Sequence, residues 1–353
     1  GSTHKAVEVV PPSADDRAVL MFTSGSTGLP KGVEVLHKNL IAGVAALRMA
    51  VPGFSHSDVF IAYLPLAHIL ELVAELSALS VGASLGYGSP YTLTRTSPMI
   101  AQAGDDPDVP EEGVDGDATA LRPTVMAGVP AVYEKVRKKL TERFENAAGA
   151  AKFLWDNAWG TKSRAWPEYK QTPFWDRLFF DKLRTAALGG RVRVLISGGG
   201  PLAKETQLFM NVCFRAPLGQ GWGLTETCGG GTVFWPDDRS LGRIGVLIPS
   251  MDIKLIAWEE GGYTVKPDEN SPYPQGELCL AGENVCKGYY KNPEKTAEAF
   301  VEEGGRVWFR TGDIGQIDPD GWVRIIDRKK DLVKLSRGEY VALGATETVA
   351  KLA

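Results

Sequence analysis

The chain has 353 residues, 44% hydrophobic and 23% charged, with a formal net charge of −4. This length fits roughly two or three domains, or one large α/β domain with a satellite. The slight acidity excludes the basic surplus of a nucleic-acid binder, so any anionic ligand has to be held by local geometry. Cys213, Cys228, Cys279 and Cys286 form no CxxC pair, and the chain has 4 histidines. That argues against zinc or a disulfide framework and for buried thiols in a reducing compartment. No apolar run approaches the roughly 20 residues that span a bilayer, and the opening GSTHK lacks the apolar core of a signal peptide.

In chain order, residues 18–22 (AVLMF) form a short apolar run, expected to be a strand buried on both faces. A loop of Gly, Ser and Thr follows, then a second run at 33–36 and a helical pattern from 39 to about 50. Residues 59–63 read as strand and 69–80 as a mostly apolar helix. Strands separated by helices predict a mostly parallel sheet flanked by helices on both sides, an α/β fold. Residues 104–117 (GDDPDVPEEGVDGD) carry seven acids and no base, the composition of a solvated loop or disordered insertion. A strand is expected at 124–129, and helices over 131–144, 153–164 and 174–187. The aromatics there (Trp155, Trp159, Trp166, Phe174, Trp175, Phe179, Phe180) suit helix-to-helix packing, with an acyl tunnel or membrane contact as the alternative. Residues 192–196 are another buried-strand run and empty into SGGGPL. From 251 onward short alternating strands predict a smaller antiparallel β subdomain. The expected extents are an α/β core over 1–250, a β-rich subdomain over 251–327, and a short closing region over 328–353.

The Gly/Ser/Thr loop is the strongest single signal. In MFTSGSTGLPKGV (21–33), Thr23, Ser24, Ser26 and Thr27 offer hydroxyls, Gly25, Gly28 and Gly32 let backbone N–H groups converge, and Lys31 adds charge. Such a loop suits phosphate. It is not the nucleotide P-loop, because Pro30 precedes the lysine and Gly32 stands where a Mg²⁺-binding hydroxyl would follow it.

The wording TSGSTGxPKG resembles the signature of adenylate-forming enzymes: acyl-CoA synthetases, luciferases and peptide-synthetase adenylation domains. The resemblance implies that this loop holds the β- and γ-phosphates of ATP. SGGGPL (197–202) resembles the family segment along the adenine face, which carries Gly199 and Gly200 over as nucleotide-binding. GQGWGLTET (219–227) resembles the segment that sets an aromatic on adenine, a Thr on the α-phosphate and a Glu on Mg²⁺. Here those are Trp222, Thr225 and Glu226, with Gln220, Gly221 and Gly223 in the same nucleotide-binding segment. Trp222 stands where the family usually has Tyr. WFRTGDIG (308–315) implies that Asp313 binds ribose. In IIDRKKDLVKLSRGEYVAL (325–343) the resemblance gives Arg328 a ribose contact, makes Lys330 the hinge, and places Lys334 and Gly338 at the thioester-forming site. Read alone, residues 328–330 are a solvated charge run. YLPLAHILE (63–71) resembles the segment near the acyl carboxylate, with His68 as acyl-binding or else as a satisfied core residue.

Together with GYGSP, GDATALRPT and GYYKNPEKT, these stretches resemble eukaryotic long-chain fatty-acid–CoA ligases. The implied reaction joins a long-chain fatty acid and ATP, with Mg²⁺, into acyl-adenylate and pyrophosphate; coenzyme A then displaces AMP. Lys31, Thr225, Glu226 and Lys334 are the implied catalytic residues. No Cys or Ser has an evident His partner, so a covalent acyl-enzyme is not indicated. Relatives carry a substantial part before the phosphate loop and a lysine-bearing C-terminal domain, so a fragment lacking both is expected. Peripheral membrane association through that upstream part is implied, at the cytoplasmic face of the endoplasmic reticulum or another organelle membrane such as the chloroplast envelope or lipid droplet. Two other readings stay open: a non-catalytic nucleotide- or acyl-adenylate-binding protein, and a ligase for another carboxylic acid.

Overall fold

The structure is a computed structural model, and it describes residues 10–23, 29–94, 115–146, 148–168, 170–268, 272–334 and 340–342. Most of the acidic stretch 104–117, and the loop residues 24–28, lie outside the described residues.

A parallel sheet forms the centre. Strands β3 (Val59–Ala62), β4 (Ser84–Tyr87), β5 (Val125–Gly128), β6 (Val194–Ser197) and β7 (Leu218–Gln220) align in the order β4-β3-β5-β6-β7. Successive strand residues point to opposite faces, and here both faces are covered. Ile61, Met126 and Leu195 enter one core layer with Tyr133, Phe180 and Phe214. Phe60, Val125, Ala127 and Ile196 enter the other with Ile248 and Leu280. Burial on both sides is why β3, β5 and β6 read as continuous apolar runs.

Helices cover the sheet: α1 (His37–Met49), α2 (Ile69–Ser80), α3 (Asp117–Leu121), α4 (Pro130–Glu145), α5 (Ala150–Ala165), α6 (Pro173–Trp175), α7 (Asp181–Leu188) and α8 (Lys204–Phe214). A π-helical turn, Asp176–Phe180, joins α6 to α7. The aromatics of this region are packing groups. Trp155 stacks on Phe144 at 3.8 Å between ring centroids, Phe180 is fully buried, and Phe174 alone of the seven is largely exposed at 68%.

The run at 18–22 departs from expectation. It belongs to β1 (Arg17–Thr23), which pairs antiparallel with β2 (Lys31–Leu36) outside the parallel sheet. Met21 is buried while its neighbour Phe22 is 65% exposed, so the strand is covered on one face and not on two. The pairing sets Thr23 opposite Lys31.

The second sheet is antiparallel throughout: β10 (Met251–Ile256), β11 (Gln275–Gly282), β12 (Phe300–Glu303), β13 (Arg306–Ile317) and β14 (Val323–Arg328). Short pairs β8 (Thr232–Val233) with β9 (Val246–Leu247), and β15 (Leu332–Lys334) with β16 (Tyr340–Ala342), complete the strands described. Strand β13 pairs with β12 along its first half and with β14 along its second. Between the halves its register against β11 shifts, and Gly312 takes a φ of +72°. A bulge of this kind re-aims the side chain that follows it. That side chain is Asp313.

Candidate functional site

A cleft of about 890 Å³ opens between the carboxyl ends of the parallel strands, the β1–β2 hairpin and the bulge of β13. In open α/β sheets the backbone diverges at these strand ends and leaves such a crevice for ligands. Ser197, Gly198 and Gly199 close it beneath β6, and Gly221, Gly223, Thr225 and Glu226 form the wall after β7. Gly223 is demanded by packing: a Cβ there would lie 2.4 Å from the Gly229 carbonyl oxygen. Thr225–Thr227 form a 3₁₀ turn that carries Glu226.

Thr23 and Lys31, at the two feet of the hairpin, both line the cleft. Ser24, Gly25, Ser26, Thr27 and Gly28 fall outside the described residues. Lys31 pairs with no carboxylate among the described residues; its Nζ sits over the ring of Tyr289, 4.1 Å from the centroid. Glu226 is buried at 6% exposure, and its Oε1 accepts a hydrogen bond of 2.7 Å from the Tyr289 hydroxyl.

Asp313 is also buried. Its Oδ2 accepts the Trp222 indole N–H at 2.8 Å, and Arg328 Nε stands 3.3 Å from its Oδ1. Burial raises the Asp313 pKa, against the pull of Arg328 and the Trp222 hydrogen bond. Trp222 thus meets the carboxylate through its nitrogen, and its ring packs beside Gly231 and the second core layer, apart from the cleft wall. Gln220 and Gly200 likewise stand off the cleft wall. Gln220 is buried and structural in its contacts: Oε1 accepts from the Leu202 N–H at 3.1 Å, which fixes the turn after β6.

Lys330 lines the cleft beside Arg328, and Lys334 lies on β15. Gly338 lies outside the described residues. His68 caps α2: its Nδ1 accepts the Leu70 N–H at 3.3 Å, which leaves the ring proton on Nε2, within the cleft and opposite Gly199. Partial burial lowers its pKa.

Two features escaped the reading of motifs. Tyr289 stands in GYYKNPEKT, which carries family resemblance but no residue pattern that announces chemistry. Ser197 Oγ is buried at the cleft floor with no hydrogen-bond partner among the described residues, the situation of a group that binds water or ligand.

The fold is that of adenylate-forming enzymes. The chain superposes on the adenylation domain of a carboxylate reductase from Mycobacterium chelonae, with TM-score 0.67, 26% identity, and 96% of this chain and 44% of that one covered. ATP-bound MatB from Rhodopseudomonas palustris gives TM-score 0.65 and 27% identity over 96% and 53%. In sequence, the AMP-binding enzyme family matches residues 2–290, and the chain belongs to that family. It is 46% identical to long chain acyl-CoA synthetase 8 of Arabidopsis thaliana over 97% of this chain and 46% of that protein. It is 40% identical to long-chain-fatty-acid–CoA ligase 1 of Saccharomyces cerevisiae over 97% and 46%. The chain therefore spans about half the length of the curated relatives it matches.

Proposed function

We propose that this chain forms the nucleotide and acyl site of a long-chain fatty-acid–CoA ligase. The observation that carries the reading is the convergence on one cleft of Lys31, Glu226 and the Asp313–Arg328 pair, which lie far apart in sequence. The relatives' names support the long-chain acid as substrate.

In the first half-reaction a fatty carboxylate oxygen bonds to the α-phosphorus of ATP, and the bond to the bridging oxygen breaks to release pyrophosphate. Lys31 and the Gly/Ser/Thr loop residues 24–28 hold the departing phosphates, Thr225 donates to the α-phosphate, and Asp313 with Arg328 holds the ribose. His68 sits beside the acyl carboxylate. Fixed donors of this kind lower the barrier by stabilising charge that develops in the transition state. In the second half-reaction the coenzyme A thiolate attacks the acyl carbonyl and AMP departs, with Lys330 as hinge and Lys334 beside the thioester.

Glu226 suits Mg²⁺. It offers a hard oxygen, and with Oε1 taken by Tyr289 its Oε2 has no partner among the described residues; substrate phosphates and water complete such a shell. Bound there, Mg²⁺ supplies neutralising charge to the triphosphate. A covalent acyl-enzyme is disfavoured because all four cysteines are buried, and burial pushes the thiols of Cys228 and Cys279 up to about 12. No helix among the described residues is long and apolar enough to cross a membrane. We place the reaction at the cytoplasmic face of an organelle membrane because long-chain acids partition into bilayers.

Calorimetry with a non-hydrolysable oleoyl-adenylate mimic, and with ATP, tests the reading. Both are expected to bind, and Asp313→Ala to weaken ATP by about tenfold or more, the worth of hydrogen bonds to a charged group. A folded chain that binds neither ligand overturns the proposal.

A further inference from the structure

The segment around Tyr289 runs along the outer edge of β2. Val33 and Tyr289 form an antiparallel bridge, the Glu34 N–H donates to the Gly288 carbonyl at 2.9 Å, and the Tyr290 N–H donates to the Gly32 carbonyl at 2.7 Å. On its other side the Cys286 N–H donates to the Glu226 carbonyl at 2.8 Å. One short stretch of backbone therefore fixes both the strand that begins at Lys31 and the turn that carries Glu226. The Tyr289 ring is wedged by Phe300, edge-on at 5.7 Å between centroids, and the Tyr289 backbone N–H donates to Thr296 Oγ1 at 3.0 Å. Its side chain is 6% exposed, yet it reaches the cleft wall.

An ammonium and a carboxylate on one cleft wall attract each other, and a direct pair would leave neither free for phosphate or cation. Lys31 and Glu226 do not pair here. Tyr289 stands between them, its face under the ammonium and its hydroxyl on the carboxylate. The face attracts a cation without consuming its N–H donors, and the hydroxyl occupies one carboxylate oxygen and leaves the other.

We propose that Tyr289 is a positioning residue that keeps Lys31 and Glu226 apart, with Lys31 aimed at the leaving phosphates and Glu226 at the cation. The inference rests on the ligase reading, and its test separates the two. In the full-length protein, ATP affinity is measured by calorimetry with EDTA and again with excess Mg²⁺. The EDTA value reports Lys31, and the gain on adding Mg²⁺ reports Glu226. Tyr289→Phe keeps the ring and loses the hydroxyl. It is expected to bind ATP within about twofold of wild type in EDTA but to lose about fivefold or more of the Mg²⁺ gain. Tyr289→Leu removes both contacts and is expected to lose a further factor of about 3–10 in EDTA.

Lys31→Ala and Glu226→Ala are the references. Silence from both defeats the ligase reading of the cleft. If they respond while both Tyr289 variants match wild type, the positioning role is wrong. A merely structural Tyr289 lowers the melting temperature and weakens both affinities in the same proportion for Phe and Leu, which also overturns it. Should Tyr289→Leu not fold, the near-isosteric Tyr289→Phe decides through a double-mutant cycle with Glu226→Gln. Coupling between positions 289 and 226 in the Mg²⁺ gain supports the role, and additivity refutes it.

Discussion

Asp313 is engaged on both carboxylate oxygens, by Trp222 on Oδ2 and by Arg328 on Oδ1. Each oxygen has a second lone pair, so on the proposed reading the ribose hydroxyls would add to these contacts without displacing them. Arg328 is half exposed, and water weakens its hold; the partly buried indole N–H is the firmer anchor. Replacing Trp222 by Phe keeps an aromatic face and removes only that donor. The expected result is a loss of about 3–10-fold in ATP affinity, as for one hydrogen bond, with affinity for 2′,3′-dideoxy-ATP unchanged. Equal losses for the two nucleotides, measured by calorimetry, would mean that the ring and not its nitrogen matters. This contact was illegible in the sequence. Position 222 reads as an aromatic at an adenine segment, but its partner lies 91 residues later and reaches it only through the bulge at Gly312.

Among the elements, the parallel strands were the most legible and the hairpin the least. VFIA, VMAG and VLIS are apolar at nearly every position because helices or the second sheet bury both faces. AVLMF has the same appearance in a strand with one covered face, and periodicity alone cannot separate the two cases. The starts of β3, β5 and β6 are tied together by Asp58, which accepts from Thr124 at 2.7 Å and from Arg193 at 2.8 and 2.7 Å. Burial alone would raise the Asp58 pKa; the hydrogen bonds from Arg193 and Thr124 outweigh it and hold it at about 2. A depressed carboxylate pKa stabilises the fold above the unfolded value near 3.8, and that contribution disappears as pH falls through about 2. Asp58→Asn is therefore expected to cost about 1–3 kcal/mol at pH 7, a range reduced for the partly exposed guanidinium. The deficit should shrink as pH is lowered from 4 toward 2. Urea unfolding across that range measures it, and a deficit independent of pH would assign the cost to something other than charge.

Over the whole molecule, the site was legible where chemistry is written in a contiguous motif. It was hidden where the fold folds distant motifs onto one another. Lys31, Glu226, Asp313 and Arg328 were each found from their own segments, whereas Tyr289 acquires meaning only when β2 and the Glu226 turn meet at its side chain. Glu71 is hidden in the same way. It stands in the first turn of the mostly apolar helix α2, is fully buried, and neither oxygen has a hydrogen-bond partner of normal geometry among the described residues. Burial, reinforced by Glu75 and only partly opposed by the amides of Leu64 and Tyr63, pushes its pKa to about 8. An acid whose folded pKa is raised keeps its proton in the native state while the unfolded chain has already released it. Its contribution is thus complete below about 4.5 and is lost as pH rises to about 8. Within that window the wild-type fold should lose stability on the order of 1 kcal/mol per pH unit relative to Glu71→Gln, whose amide is neutral throughout. Parallel stability curves for the two proteins between pH 5 and 8 would show that Glu71 is ionised and solvated in the native state. Convergence below pH 5 and divergence above it is the outcome that this buried, unpaired carboxyl requires.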